Sequence, residues 1–143
     1  MALEIERFFI PKDIYDEMLR FARKIYPLEA CGILAGSRWK TEIFYPMKNI
    51  DNSGEHFMME PEEQFKVVKD IRKRKLEMIG IFHSHPETPA RPSAEDIRLA
   101  LTPGVVYLIL SLMDEDNPDL KGFDIEDNEV ASVEIEIEDK VPR

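Results

Sequence analysis

Apolar residues recur at Ile10, Ile14, Met18, Phe21, Ala22 and Ile25, the spacing of one helical face, with Pro11 near the start and Pro27 past the end. The spacing predicts a first helix over residues 10–25. Residues 30–35 form a short apolar run closed by Gly36, and residues 39–45 alternate, which predicts two strands joined by a tight turn. Residues 49–60 read as a loop. Pro61 opens a second helix that carries Phe65, Val68 and Ile71 on one face. Residues 78–83 have the composition of a buried strand, and three prolines between positions 86 and 92 exclude regular structure there. A short third helix starts near Ser93, with Ile97, Ala100 and Leu101 expected to face inward. Residues 105–110 are continuously apolar, the pattern of a central strand. Residues 120–125 and 130–137 predict a hairpin whose last strand turns Val133, Ile135 and Ile137 one way and Glu134, Glu136 and Glu138 the other. As an outer strand, its like charges would discourage edge-to-edge pairing. The succession predicts a central mixed β-sheet flanked by about three helices, α/β or α+β in class, forming a single domain over residues 1–138 with a disordered tail at 139–143.

Composition narrows the function classes. A chain of 143 residues with 43% hydrophobic content suits one domain with a core of its own and no need of disulfide staples. The formal net charge is −10, unevenly placed: residues 1–113 hold 16 basic and 17 acidic groups, residues 114–143 hold 3 and 12. A nucleic-acid partner would meet repulsion from that acidic end and would call for a basic patch instead. The single basic run, residues 72–75, falls where it complements the dipole of a helix end. No segment approaches the ~18 consecutive apolar residues of a membrane span, and two glutamates precede any apolar run at the N-terminus, unlike a secretory signal. One cysteine, Cys31, excludes an internal disulfide framework and a multi-thiolate zinc site. The expectation is a cytoplasmic protein with neither nucleic-acid nor membrane partner.

Only three histidines occur: His56, His83 and His85. Positions i and i+2 of a strand project from one face, so His83 and His85 present both rings to one point while Ser84 turns away. The proline-rich loop then leads into Ser93-Ala94-Glu95-Asp96. Ser-x-x-Asp before an apolar run is a capping box, and it also puts the Asp96 carboxylate where it folds back over the rings. Two imidazoles and a carboxylate make an open metal site that suits Zn²⁺ and also accepts Fe²⁺ or Co²⁺. His-Glu-x-x-His is absent. The glycines at 32 and 36 fit neither a dinucleotide loop nor a P-loop and are read as allowing close packing. Cys31 reads as a core residue, and His56 as a loop residue near the cleft rather than a ligand.

His83-x-His85, seven residues, Ser93-x₂-Asp96 resembles the signature of the JAMM/MPN+ metallopeptidases, with its spacing intact. Residues 27–34, Pro-Leu-Glu-Ala-Cys-Gly-Ile-Leu, resemble the segment that carries that family's glutamate, and Asn49, Phe57 and Pro61 resemble its following loop. The likeness runs from about residue 8 to 126. It implies a JAB/MPN-type domain of cytidine-deaminase-like architecture. By resemblance, His83, His85 and Asp96 hold one Zn²⁺ with a bound water, Glu29 is the general base, and Ser93 donates to the oxyanion. On composition alone, Glu29 would read as a solvated acid at a helix-to-strand junction. The long insertions of eukaryotic deubiquitinases are absent, as in stand-alone prokaryotic members. Those are associated with ubiquitin-like β-grasp sulfur carriers, whose extended Gly-Gly tail would bind by strand addition to a sheet edge. The resemblance thus implies hydrolysis of a peptide or isopeptide bond after such a tail. Two other readings stay open: a non-cleaving MPN-type module for a ubiquitin-like partner, and a zinc amidase acting on a small molecule or cell-wall-type peptide.

Overall fold

Apolar runs, alternating stretches and helical stripes succeed one another along the chain, and most become elements of the matching type. The computed structural model describes residues 2–139. In order these are β1 (Arg7–Pro11), α1 (Lys12–Ile25), β2 (Cys31–Ser37), β3 (Lys40–Met47), α2 (Pro61–Lys73), β4 (Glu77–His85), α3 (Ala94–Arg98), β5 (Val106–Ser111), β6 (Asp119–Glu126) and β7 (Glu129–Glu138). The expected mixed sheet with three helices is what forms. Strands β3, β2 and β4 are antiparallel, β4 and β5 parallel, and β5, β6 and β7 antiparallel.

Unexpected is the closure. β1 lies parallel to β7, from Arg7 beside Glu134 to Pro11 beside Glu138, and touches β3 at Phe9 and Lys40, so the sheet becomes a barrel. β7 is therefore no outer strand. Its glutamates line a solvated face where Arg7 meets Glu136 at 2.9 Å and Glu134 at 3.6 Å.

Alternation along the central strands builds two cores. On β5, Val106, Leu108 and Leu110 face one layer with Phe8, Ile10, Leu34 and Phe82, covered by Ile14, Met18 and Ala22 of α1. Tyr107 and Ile109 face the other, with Cys31, Ile33, Ile81 and Ile71 of α2. His83 and His85 follow Ile81 at strand period, so both stand on the α2 side. The small residues of β2 have the packing role expected of them. A Cβ on Gly32 would press on the Phe44 ring and the Tyr45 carbonyl, and one on Gly36 would collide with the Lys40 carbonyl in the β2–β3 hairpin.

Three boundaries differ from expectation. Ile10 belongs to β1, buried two residues after Phe8, and Pro11 ends that strand as it caps α1. Ile10 also stands four residues before Ile14, which is why helical spacing claims it. On α2 the inward stripe is Val67 and Ile71, and Phe65 is 64% exposed. Leu101 lies beyond α3 and is 79% exposed. Of the expected tail at 139–143, only Asp139 falls within the described residues, as an exposed position in a bend. Among those residues no helix is long and apolar enough to cross a membrane.

Candidate active site

The site sits where β4 ends. His83 pairs across to Cys31 on β2 and Ile109 on β5, and His85 to Ser111 on β5, so both imidazoles rise from a sheet supported on either side. Ser84, pointing away, ties down the neighbouring segment. Its Oγ accepts from the Ala30 amide at 2.8 Å, and its own amide donates to the Ala30 carbonyl at 2.9 Å. That pair of bonds fixes the chain directly beside Glu29.

The proline-rich loop is held equally firmly. Ser111 Oγ donates to the Thr88 carbonyl at 2.6 Å, and His85 Nδ1 lies 2.8 Å from the Pro89 carbonyl. The loop delivers Ser93 to the start of α3, where the two readings of this segment coexist. Ser93 Oγ accepts from the Asp96 amide at 3.0 Å, and the Ser93 amide donates to Asp96 Oδ2 at 2.9 Å. The same Oδ2 lies 3.0 Å from His85 Nε2 and 3.2 Å from His83 Nε2. Asp96 therefore closes the cap and meets both rings with one oxygen. Ser93 is exposed, and its hydroxyl keeps its own proton for donation.

The chemistry of this donor set fits a divalent cation. A carbonyl only accepts, so His85 Nδ1 carries the proton and its Nε2 offers a lone pair toward the cluster. That Nε2 lies 3.1 Å from His83 Nε2 and 3.0 Å from a carboxylate oxygen. Acceptors this close repel unless a cation or extra protons intervene, and two imidazoles with a carboxylate are a zinc-type set. The three ligand atoms lie within 4.8 Å of one another, the only such group of three among the described residues. Burial drives His83 toward its neutral, ligating form, against the pull of Asp96. Burial also disfavours charge on His85, but Asp96 and the Pro89 carbonyl outweigh it and its pKa is raised. For Asp96, burial is outweighed by the closeness of His83 and His85 and by the Ser93 amide, which together hold the carboxyl well below its usual range.

Glu29 is 3% exposed, and its Oε1 has no hydrogen-bond partner among the described residues. Burial pushes its carboxyl up to about 8, with Asp96, Glu95 and Glu55 adding to the rise and His85 opposing it. Its backbone is pinned from the loop. The Glu29 amide donates to the Ser53 carbonyl at 2.7 Å, and Asn49 Nδ2 donates to the Glu29 carbonyl at 3.1 Å. Asn49 also donates to the His56 carbonyl, while its Oδ1 accepts from the Asp51 and Met58 amides. One buried side chain thus joins the loop to the glutamate segment. Asn49→Ala should cost about 1–3 kcal/mol, a fall of roughly 3–10 °C in melting temperature. It should also speed hydrogen exchange at the Asp51 and Met58 amides. Unchanged exchange there would mean that something else holds the loop.

The family model for prokaryotic homologs of the JAB domain matches residues 11–125. This chain belongs to that family. It is 32% identical over 130 residues to the CysO-cysteine peptidase of Mycobacterium tuberculosis, covering 90% of this chain and 89% of the relative. It is 33% identical over 112 residues to the desampylase of Haloferax volcanii, covering 73% and 81%. A solution structure of a Desulfitobacterium hafniense protein superposes with a TM-score of 0.85 at 46% identity, covering 94% of each chain. The expectation of a JAMM-type peptidase therefore holds at the level of the JAB family, with relatives named as a CysO-cysteine peptidase and a desampylase.

Of the residues singled out in the sequence, His83, His85 and Asp96 meet, Glu29 stands within electrostatic reach of them, and Ser93 caps the adjoining helix. Cys31 is buried, its thiol pushed up by that burial to about 12, as befits a core residue. His56 lies outside the cluster, 3.0 Å from Asp51. Ser84 has no task legible in the sequence, and Asn49 none beyond the family likeness. No local pattern marks either, because both act on backbone distant in the chain. Phe57, stacked on His83 at 4.8 Å between centroids, was likewise visible only through the resemblance.

Proposed function

We propose that this chain is a zinc-dependent metallopeptidase that hydrolyses a peptide or isopeptide bond after the C-terminal tail of a ubiquitin-like or sulfur-carrier protein. The observation that carries the reading is the buried Glu29, whose Oε1 has no hydrogen-bond partner among the described residues, beside the convergent His83, His85 and Asp96. These three would hold the ion, which when bound supplies Lewis acidity that brings a water's pKa toward ~7. Glu29 then takes a proton from the attacking water and passes it to the departing amine nitrogen. A carboxyl raised toward neutrality suits that exchange. Ser93 Oγ donates its free proton to the carbonyl oxygen as negative charge builds there, an interaction of about 3 kcal/mol in comparable sites.

The relatives named as a CysO-cysteine peptidase and a desampylase support a carrier-type protein as the substrate. The sheet offers a place for an extended tail. Among the described residues β3 has no strand partner on its outer side beyond Lys40, and its end at Met47 lies in register with Cys31 and His83. The test is incubation of zinc-loaded protein with a β-grasp carrier extended beyond Gly-Gly, with products read by mass spectrometry. Loss of the extension at Gly-Gly, abolished by a chelator, is the expected result. An untouched carrier with zinc bound would sink the carrier reading and favour a small amide or a non-cleaving module.

A further inference from the structure

The chain that follows Glu29 joins the sheet one residue late. Cys31 pairs with His83 and Gly32 with Phe82, so a continued antiparallel ladder would set Ala30 opposite Ser84 and join them by two main-chain bonds. One of the two forms, from the Ser84 amide to the Ala30 carbonyl at 2.9 Å. The other is made to a side chain. The Ala30 amide donates to the Ser84 hydroxyl at 2.8 Å, in place of the main-chain carbonyl of position 84. β2 therefore begins at Cys31, and Glu29 is engaged elsewhere, its amide on the Ser53 carbonyl and its carbonyl on Asn49. Ser84 and Ala30 are both fully buried, so the exchange of acceptor is sheltered from water.

We propose that Ser84 is a positioning residue for Glu29: its hydroxyl caps the β2–β4 ladder and so sets how far the buried carboxylate stands from the His83, His85 and Asp96 cluster. For its catalytic consequence the inference rests on the metallopeptidase reading, to which it adds a residue that touches neither substrate nor ion. Asn49 and Ser53 tie Glu29 to a mostly exposed loop. Ser84 instead ties the next residue to the strand that carries both histidines, between which it lies. Without the hydroxyl, the acceptor that a continued ladder supplies to the Ala30 amide is the carbonyl of position 84. Taking it draws the 29–30 segment into the sheet, and not taking it leaves a buried donor unpaired. Either way Glu29 shifts against histidines whose strand β5 holds in register. A misplacement of about 1 Å costs on the order of 10²-fold in rate.

The test has a structural and a kinetic arm. Crystal structures of the zinc-loaded wild type and Ser84→Ala should show the Glu29 carboxylate displaced by about 1 Å, with His83, His85 and Asp96 in place. An unmoved Glu29 overturns the proposal, whatever the substrate. On a carrier extended beyond Gly-Gly, well below the melting transition, Ser84→Ala should lower kcat by about 10–100-fold and leave KM and zinc content at wild-type level. Ser84→Thr, which keeps an oxygen at that position, should recover most of the loss. If the alanine protein does not fold, Ser84→Cys takes its place with the same expected results, since sulfur is close in size and only a weak acceptor. In a Glu29→Gln background the substitution should leave the residual single-turnover rate nearly unchanged, because no base remains to be misplaced. A further fall of about 10–100-fold in that background means that Ser84 acts on something else and overturns the proposal while the peptidase reading stands. If the wild type cuts no carrier, the peptidase reading fails, and the two crystal structures alone decide whether Ser84 positions Glu29.

Discussion

His85→Ala is expected to abolish both zinc binding and peptide hydrolysis. The ring is held upright by the Pro89 carbonyl and offers one of the three atoms that would hold the ion. Its removal leaves an N–O pair with no third protein donor. Losing an outer-shell partner typically costs 10–100-fold in metal affinity, so loss of a ligand should exceed about 100-fold. Metal analysis after dialysis and kcat/KM on an extended carrier are the measurements. The backbone should remain intact, since the imidazole takes no part in sheet pairing and its β4 position stays bonded to β5. A His85→Ala protein that keeps a full equivalent of zinc would remove His85 from the ligand set.

Glu29→Gln separates chemistry from binding. The amide matches the carboxyl in size within a site only 3% exposed, but it has no basic oxygen able to take a proton. Zinc content should stay at wild-type level while kcat falls by about 10²–10⁴-fold. Wild-type turnover would take Glu29 out of the mechanism.

The same variant has a second signature in the zinc-free protein. Burial raises the Glu29 carboxyl from an ordinary 4.5 to about 8, so the folded chain holds this proton more tightly than the unfolded chain does. The stability linked to that proton is fully present below about pH 4.5 and is lost as pH rises through about 8. Glutamine does not titrate. The melting temperature of Glu29→Gln relative to wild type should therefore rise between pH 5 and 8 and level off above. A difference independent of pH would mean that Glu29 is already charged in the fold.

How much of this was legible from residues alone depends on the range of each interaction. The β4 strand follows from its apolar composition and the His-x-His geometry from a strand's period of two, and both formed as read. The capping-box pattern of Ser93 and Asp96 is a three-residue regularity and formed as read, while Asp96 also turned to the histidines. Glu29 was different. Its segment has no local signal of burial, and composition favoured a solvated acid; only family likeness marked it. The reason lies in Ser84, Asn49 and Ser53, whose bonds to the 29–30 segment span 20 residues or more. Ile10 and Phe65 were misplaced for a related cause. Helical spacing admits more than one stripe, and the sheet decides which is covered. The closing strand β1 escaped notice because its partner lies at the far end of the chain, and a pattern search along sequence carries no information about such pairs.

That distance matters during synthesis. β1 gains its long partner only when residues 134–138 have been made, more than 120 residues after Arg7. Until then Phe8 and Ile10 have α1 behind them but no β7 beside them. Cys31, His83 and Ile109, by contrast, pair within the central strands and are complete earlier. The nascent chain thus has the framework of its active centre before it has a closed wall, and a chain cut short of β7 would leave two large apolar side chains at an open seam, a site for misassociation. The acidic C-terminal segment, whose charges face water while Val133 and Ile135 face the core, is the latch that ends that exposure.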